Sequence, residues 1–409
     1  MNSNILIAHP IRVIPFDLGR TLQDNDINHI RLYIEANFKI NQITPRQQSI
    51  LKDCKLVFAL NDQVSGYIYK KGILVIVIEE SKLDFHRDYL NFSITYGKNR
   101  KEAHNLLFNW KHEYSSQIFV LLRDLWQIVK KNCKNEVMRL SASNKFENCG
   151  LSYIMTLSLF EVSNNIVGSV GFNEYPDWLK SNLYALLDPA ILYLEDSSKF
   201  DVSDVEFDTK RILKEIAFKD VPKDYEIHRH IDTYMSWAAV VVIGQIQDID
   251  IEEYTALEVQ LQSDWYYVYC IEKNLKEDVK LGKQDVIRYQ QQSYELDLLE
   301  NRLYDFDDSS MPTRILEIQN GLIQTSGIND NIQHAQRKIK YILEREKLNN
   351  ELRQKKLGQS SEVLLFFIAF IEIAPTVAEY GNKLFPNGGI IANIIIVILG
   401  LVLLMRKDS

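Results

Sequence analysis

The chain has 409 residues, 46% of them hydrophobic and 25% charged, so it is long enough for two or three domains and apolar enough for a sizeable core. Its net charge of -8 argues against a dedicated nucleic-acid binder, because neutralising phosphates needs a basic surface. The four cysteines, Cys54, Cys133, Cys149 and Cys270, show neither a C-x-x-C pair nor zinc-ligand spacing, as expected of free thiols in a reducing compartment.

No basic stretch followed by an apolar run opens the chain, so no cleavable signal is expected and the bulk reads as cytosolic. The opening segment ILIAHPIRVI is strand-like, and Ile27, Ile30, Ile34 and Phe38 then make a helical stripe. Thr44 before Pro45 marks a helix start. KLVFAL and GYIYKKGILVIVIEE are strand-rich, with Lys70, Lys71 and Gly72 as a hairpin turn. These features predict a small sheet with helices on one side. From Asn99 to Lys131 the pattern is helical, with Ile118, Leu121, Leu125 and Ile128 on one face. EVMRLSA, GLSYIMTLSLFEVS and DTYMSWAAVVVIGQI favour strands, with a helical region from Trp178 to Leu187 between them. They imply a second sheet or completion of the first. Residues 1–249 thus read as a cytosolic α/β domain, with room for two subdomains divided near residue 135.

After residue 250 the texture changes to helices rich in Glu, Lys, Gln and Leu. Leu296, Leu299, Leu303 and Phe306 form one stripe, and Ile328, Ile332, Ala335, Ile339 and Ile342 another, as in a helix bundle or coiled coil. Residues 250–360 are read as this helical stalk or bundle, with Gly358, Ser360 and Ser361 as a candidate joint before residues 361–409.

Two apolar runs, VLLFFIAFIEIAPTVA from Val363 and IIANIIIVILGLVLLM from Ile390, flank YGNKLFPNGG. Each covers roughly 24 Å at ~1.5 Å per residue, so flanking residues must help cross a core of ~30 Å. Arg353, Lys355 and Lys356 precede the first run and Arg406 and Lys407 follow the second, which places both termini in the cytosol by the positive-inside rule. A buried core hairpin is the competing reading. The expected fold class is therefore α+β (mixed α/β), an N-terminal cytosolic domain followed by a helical stalk and a two-helix transmembrane hairpin at the cell membrane. Glu372 sits inside the first run, where an ionisable group is costly unless paired, protonated or facing water. Pro375 removes a backbone donor nearby, and Asn393 is read as packing between helices.

Elsewhere, His228, His230 and Asp232 alternate along a candidate strand, so three metal-ligating side chains would share a face. Their spacing resembles the start of the H-x-H-x-D-H pattern of metallo-β-lactamase-type hydrolases, with Thr233 where the last His is needed. A membrane-tethered metal-dependent enzyme using this face is one functional alternative. Neither a P-loop, a dinucleotide fingerprint nor a nucleophile elbow is present, so no catalytic residue is assigned and the chain is not read as an enzyme.

The layout of an α/β domain, long helices and two C-terminal apolar runs with Tyr380, Gly381 and Asn382 after the first resembles CorA-type divalent-cation transporters. That family carries a Tyr-Gly-Met-Asn-type signature at its pore mouth, and here the Met is missing and Lys383 follows. The resemblance covers about 150 C-terminal residues and implies a homo-oligomer, a pentamer, with first spans lining a pore. Glu372, Tyr380, Gly381 and Asn382 are its ion-path candidates. No cofactor is expected beyond a divalent cation. The alternative is a membrane-anchored stress or phage-defence sensor or effector, which perturbs the bilayer on binding a small-molecule or protein ligand.

Overall fold

A computed structural model describes residues 5–79, 83–84, 114–132, 139, 152–160, 231–236, 239–244, 250–281, 286–304, 312–384 and 386–406. The strand-like opening forms β1 (Ile5–Asp17), which is long enough to hold different partners along its length. β5 (Ile73–Glu79) pairs antiparallel with its second half, Ile11 opposite Glu79 and Asp17 opposite Ile73. β6 (Leu83–Asp84) pairs with Ile7 and Ala8. Along its other edge runs β7 (Ser152–Phe160), from Ile5 opposite Phe160 to Val13 opposite Ser152. With β2 (Lys39–Ile40), β3 (Cys54–Ala59), β4 (Val64–Tyr69), β8 (Ile231–Ser236) and β9 (Ala239–Gly244), the order is β2-β3-β4-β5-β1-β7-β9-β8. Among the described residues, only the β7–β9 pair is parallel. The later strands therefore complete the first sheet, which carries strands from both sides of residue 135.

DTYMSWAAVVVIGQI, one apolar stretch in sequence, folds as two strands, β8 and β9, paired from Ile231 opposite Gly244 to Ser236 opposite Ala239. In β3 and β4, Phe58 stands opposite Gly66, and its ring fills the space a Cβ on Gly66 would take.

The expectation of helices on one side of the sheet is corrected. On one face, α1 (Asp24–Asn37) and α3 (Ser115–Asn132) cover Ile14, Phe16, Leu74, Ile76 and Ile78 with Ile27, Ile30, Ile34, Ile118, Leu121 and Leu125. On the other, the helix α4 (Ile251–Leu281) lies against β1, β5 and β7. The cause is visible in β5, where six consecutive residues, Ile73 to Ile78, are buried, so both faces need a cover. The short α2 (Pro45–Ile50) starts as its sequence predicts, with Thr44 accepting from the Gln47 amide and Pro45 in its first turn.

Lys70, Lys71 and Gly72 form the β4–β5 turn, with Gly72 at φ 79°. A Cβ there would strike the carbonyl oxygen of Arg20, because the β1–α1 connection rests on this turn, Leu18 donating to the Gly72 carbonyl and Leu22 to that of Lys70 at 2.8 and 2.7 Å. Gly72→Ala combines a left-handed backbone with a steric clash, and a loss of about 1–3 kcal/mol is expected in denaturant unfolding. A loss within about 0.3 kcal/mol would show that the two segments do not touch.

Among the described residues, four further helices follow: α5 (Val286–Tyr304), α6 (Thr313–Ser326), α7 (Ile328–Leu384) and α8 (Gly388–Arg406). The chain divides into two compact units, Met1–Lys338 and Ile339–Ser409, and α7 contributes to both. In the first unit its opening turns bury Ile328, Ile332 and Ala335. Glu272 of α4 accepts from Lys338 and pairs with His334, at 2.8 and 2.7 Å, while Gln336 reaches Asp297 and Glu300 of α5. Gly358 causes no break, because α7 is one continuous helix through it.

Candidate functional site

In the second unit, α7 carries the sequence-predicted residues Glu372, Pro375, Tyr380, Gly381 and Asn382, and α8 carries Asn393. The partly covered positions of α7, Val363, Phe366, Phe370, Ala374, Val377 and Ala378, recur every three or four residues. They face α8, which runs antiparallel. The Phe366 ring fills the space beside Gly400, Asn393 donates its Nδ2 to the Ala374 carbonyl at 3.1 Å, and Gly389 lies against the Ala378 backbone. Asn382 accepts from the Gly389 amide at 3.0 Å, and Asn387, at φ 65°, turns the chain between the helices.

Glu372, Thr376, Glu379 and Lys383 follow one another at steps of four, three and four, and all are exposed. At about 100° per residue these four lie within roughly 60° of one another and on average some 160° from the side that meets α8. Lys383 pairs with Glu379 at 2.8 Å and lies 5.1 Å from the centre of the Tyr380 ring. Pro375 is exposed beside Glu372, and Gly381 lies within the helix. Around this polar line the surface is apolar, since Leu364, Leu365, Phe367, Ile368, Ile371 and Ile373 are exposed too. The apolar part of α7 is long and apolar enough to cross a bilayer, and none of it is buried.

In the first unit, His228 and His230 lie outside the described residues, while Asp232 is buried in β8 opposite Ile243. Among the described residues, no group of three His, Cys, Asp or Glu side chains is placed to hold a metal ion.

Polar side chains do converge where the β1–α1 connection, the β4–β5 turn, α4 and α5 meet. Lys71 is buried and donates to the Ser263 hydroxyl at 2.8 Å and to Asp264 of α4. Asp264 also accepts from Gln260 and from Arg302 of α5, each at 2.8 Å, and Arg302 reaches back to Asp53. Burial pushes the Lys71 amine down to about 8 from an ordinary value of 10.5, against the pull of Asp264. Burial would raise the Asp264 carboxyl, but Lys71 and Arg302 outweigh it and hold the carboxyl below its usual range.

Beside this cluster is a cavity of about 550 Å³, bounded by Gly19 to Asp24 of the β1–α1 connection, Lys70, Arg139, Tyr267 and the first three turns of α5. Carboxylates brace its arginines. Arg20 binds both oxygens of Asp26 at 2.9 and 2.8 Å, and Arg288 pairs with Asp278. Arg139 holds Asp17 through Nε and Nη2, at 3.0 and 2.6 Å, with its guanidinium 5.4 Å from the centre of the Tyr267 ring. Tyr267 donates to Glu295, so burial and that carboxylate both raise its phenol.

Sequence reasoning missed this convergence, since its members come from six separated segments with no motif among them. The available signal was chemical: Lys71 adjoins the strand pair, and Asp264 interrupts the apolar side of α4 that lies on the sheet.

Lys71 also gives a pH signature. At neutral pH both folded and unfolded chains hold its proton, and the cost of burying the charge is fully present. Between about 8 and 10.5 the folded chain has released a proton that the unfolded chain still binds, so this group's contribution to stability rises with pH. The advantage in melting temperature of wild type over Lys71→Met is therefore expected to grow from about pH 7 to about pH 10. An advantage independent of pH would remove the buried amine from the account.

No protein-family model matches the chain, and neither a curated protein nor a solved structure matches it, so the functional reading stands on geometry and chemistry.

Proposed function

We propose that the protein is an oligomeric membrane protein of the CorA-like channel or transporter kind, with α7 lining an ion path and the α/β domain regulating it from the cytosol. The observation that carries this reading is Glu372, exposed on the side of α7 turned away from α8, in line with Thr376 and Glu379. In a bilayer a carboxylate on that side faces lipid, at several kcal/mol, unless other copies enclose it around water. A ring of copies turns the same side inward and supplies the water. Reconstituted protein is expected to carry monovalent or divalent cations across liposomes. Leakage no greater than that of empty liposomes, with the protein inserted, would end this reading.

A second reading is favoured by the cavity in the first unit. A membrane-anchored sensor or effector would bind its ligand there and pass the change along α7, whose opening turns are fixed to α4 and α5. Ligand-triggered membrane damage without steady ion flux would select it. Protein left in the supernatant after high-speed sedimentation without detergent would sink both readings.

A further inference from the structure

We infer that the cavity beside the β1–α1 connection binds a soluble phosphate-bearing molecule of mononucleotide size, with hydroxyl or amino groups at the end away from its phosphate. The inference rests on the sensor reading of the first unit and names the ligand class of that site. Its volume of about 550 Å³ lies within the usual range of small-molecule sites, ~300–1,000 Å³.

Two helices begin at this cavity. Gln23, the N-cap of α1, and Asp24 line it from one side, and Ile287 and Arg288, in the first turn of α5, from the other. The start of a helix is its positive end, with amide donors that suit a phosphate. The first turn of α1 carries Asp24 and Asp26, but that of α5 has no acidic residue and holds Arg288 instead. Asp278 already pairs with that cation, and an anion in the cavity would be a second partner beside the positive end of the helix. Lys70 lines the cavity, is exposed and makes no side-chain pair among the described residues. Arg139, which also lines the cavity, is held in place by Asp17 and two backbone carbonyls through Nε and Nη2.

Acceptors mark the other end. Gln292, 8% exposed, lines the cavity one turn along α5 and offers its side-chain amide to a ligand. A hydroxyl or amino group can donate to an amide oxygen or a carboxylate, whereas an ionised phosphate oxygen only accepts. Glu295 lies a further turn on and is also an acceptor. From Arg288 to Glu295 the helix rises roughly 10 Å, the length of a nucleoside monophosphate. The carboxylates behind Arg20, Arg139 and Arg288 keep the local charge near balance, which favours one phosphate with hydroxyls over a bare polyanion.

The test is calorimetric titration of the full-length protein in detergent with AMP, GMP, CMP, UMP and inorganic phosphate. At least one nucleotide is expected to bind at micromolar concentration, and phosphate at least tenfold more weakly. Lys70→Glu, a surface change, and Gln292→Leu should each weaken nucleotide binding tenfold or more, with melting temperatures confirming that both fold. Absence of nucleotide binding below millimolar concentration, or binding untouched by both variants, would overturn the inference. Displacement of the nucleotide by an equal concentration of dioctanoyl phosphatidylserine would overturn it too, by assigning the phosphate chemistry to a lipid headgroup. Binding is read without a bilayer, so a site that binds while membranes stay intact would sink the sensor reading and keep the site.

Discussion

Glu372→Gln is expected to cut cation flux through reconstituted protein at least tenfold, while leaving expression, membrane insertion and oligomer size unchanged. The substitution keeps the size and hydrogen-bonding shape of the side chain and removes only its charge. If Glu372 lines a hydrated path, that charge supplies the local attraction that draws a cation out of bulk water, and its loss raises the barrier directly. If Glu372 instead faces lipid, the variant should insert more readily, because an ionised group near the bilayer centre costs roughly 2.5–3.5 kcal/mol on insertion scales. The two placements thus predict opposite phenotypes. Unchanged flux with improved insertion would move the path elsewhere. Thr376→Val, on the same side and uncharged, should have the smaller effect of the two.

Asp264→Ala is expected to be the most destabilising single change in the first unit, by about 3–5 kcal/mol, because it leaves Lys71 and Arg302 without their shared carboxylate. The cluster ties the β4–β5 turn to both α4 and α5, so the loss reaches the sheet and the helices together. In a unit of this size such a loss corresponds to a fall in melting temperature of roughly 10 °C. Adding Lys71→Met should restore part of it, because the amine no longer needs compensation, and the coupling should fall within about 0.5–3 kcal/mol. A fall of less than about 2 °C in the single variant would show that water, not Asp264, satisfies the amine.

The parts of this fold that sequence could predict are those governed by local periodicity. The spacing of Ile27, Ile30 and Ile34 set the buried side of α1, Thr44 and Pro45 started α2, and Gly72 supplied the only backbone that its turn accepts. The division of DTYMSWAAVVVIGQI into two strands depends instead on long-range pairing, since Val240 to Ile243 lie beside β7, far away in the chain. The apolar run of β5 was compatible with cover on one face or two, and only the path of α4 decides between them. The polar line through Glu372 was implicit in the numbering, but its meaning depends on where α8 packs. The cavity could not be foreseen, because residues 19–24, 70, 139, 267 and 287–295 share no spacing and meet only once the sheet closes.

Joining strands from residues 5–17 and 152–160 along one edge has a practical consequence for dissection. A fragment stopping near residue 135 would present the free backbone groups of β1 to any strand it meets, an invitation to self-association. Expressed alone, such a piece should precipitate. Supplied in the same cell with the remainder of the chain, it should be rescued, because the two halves complete each other's ladder.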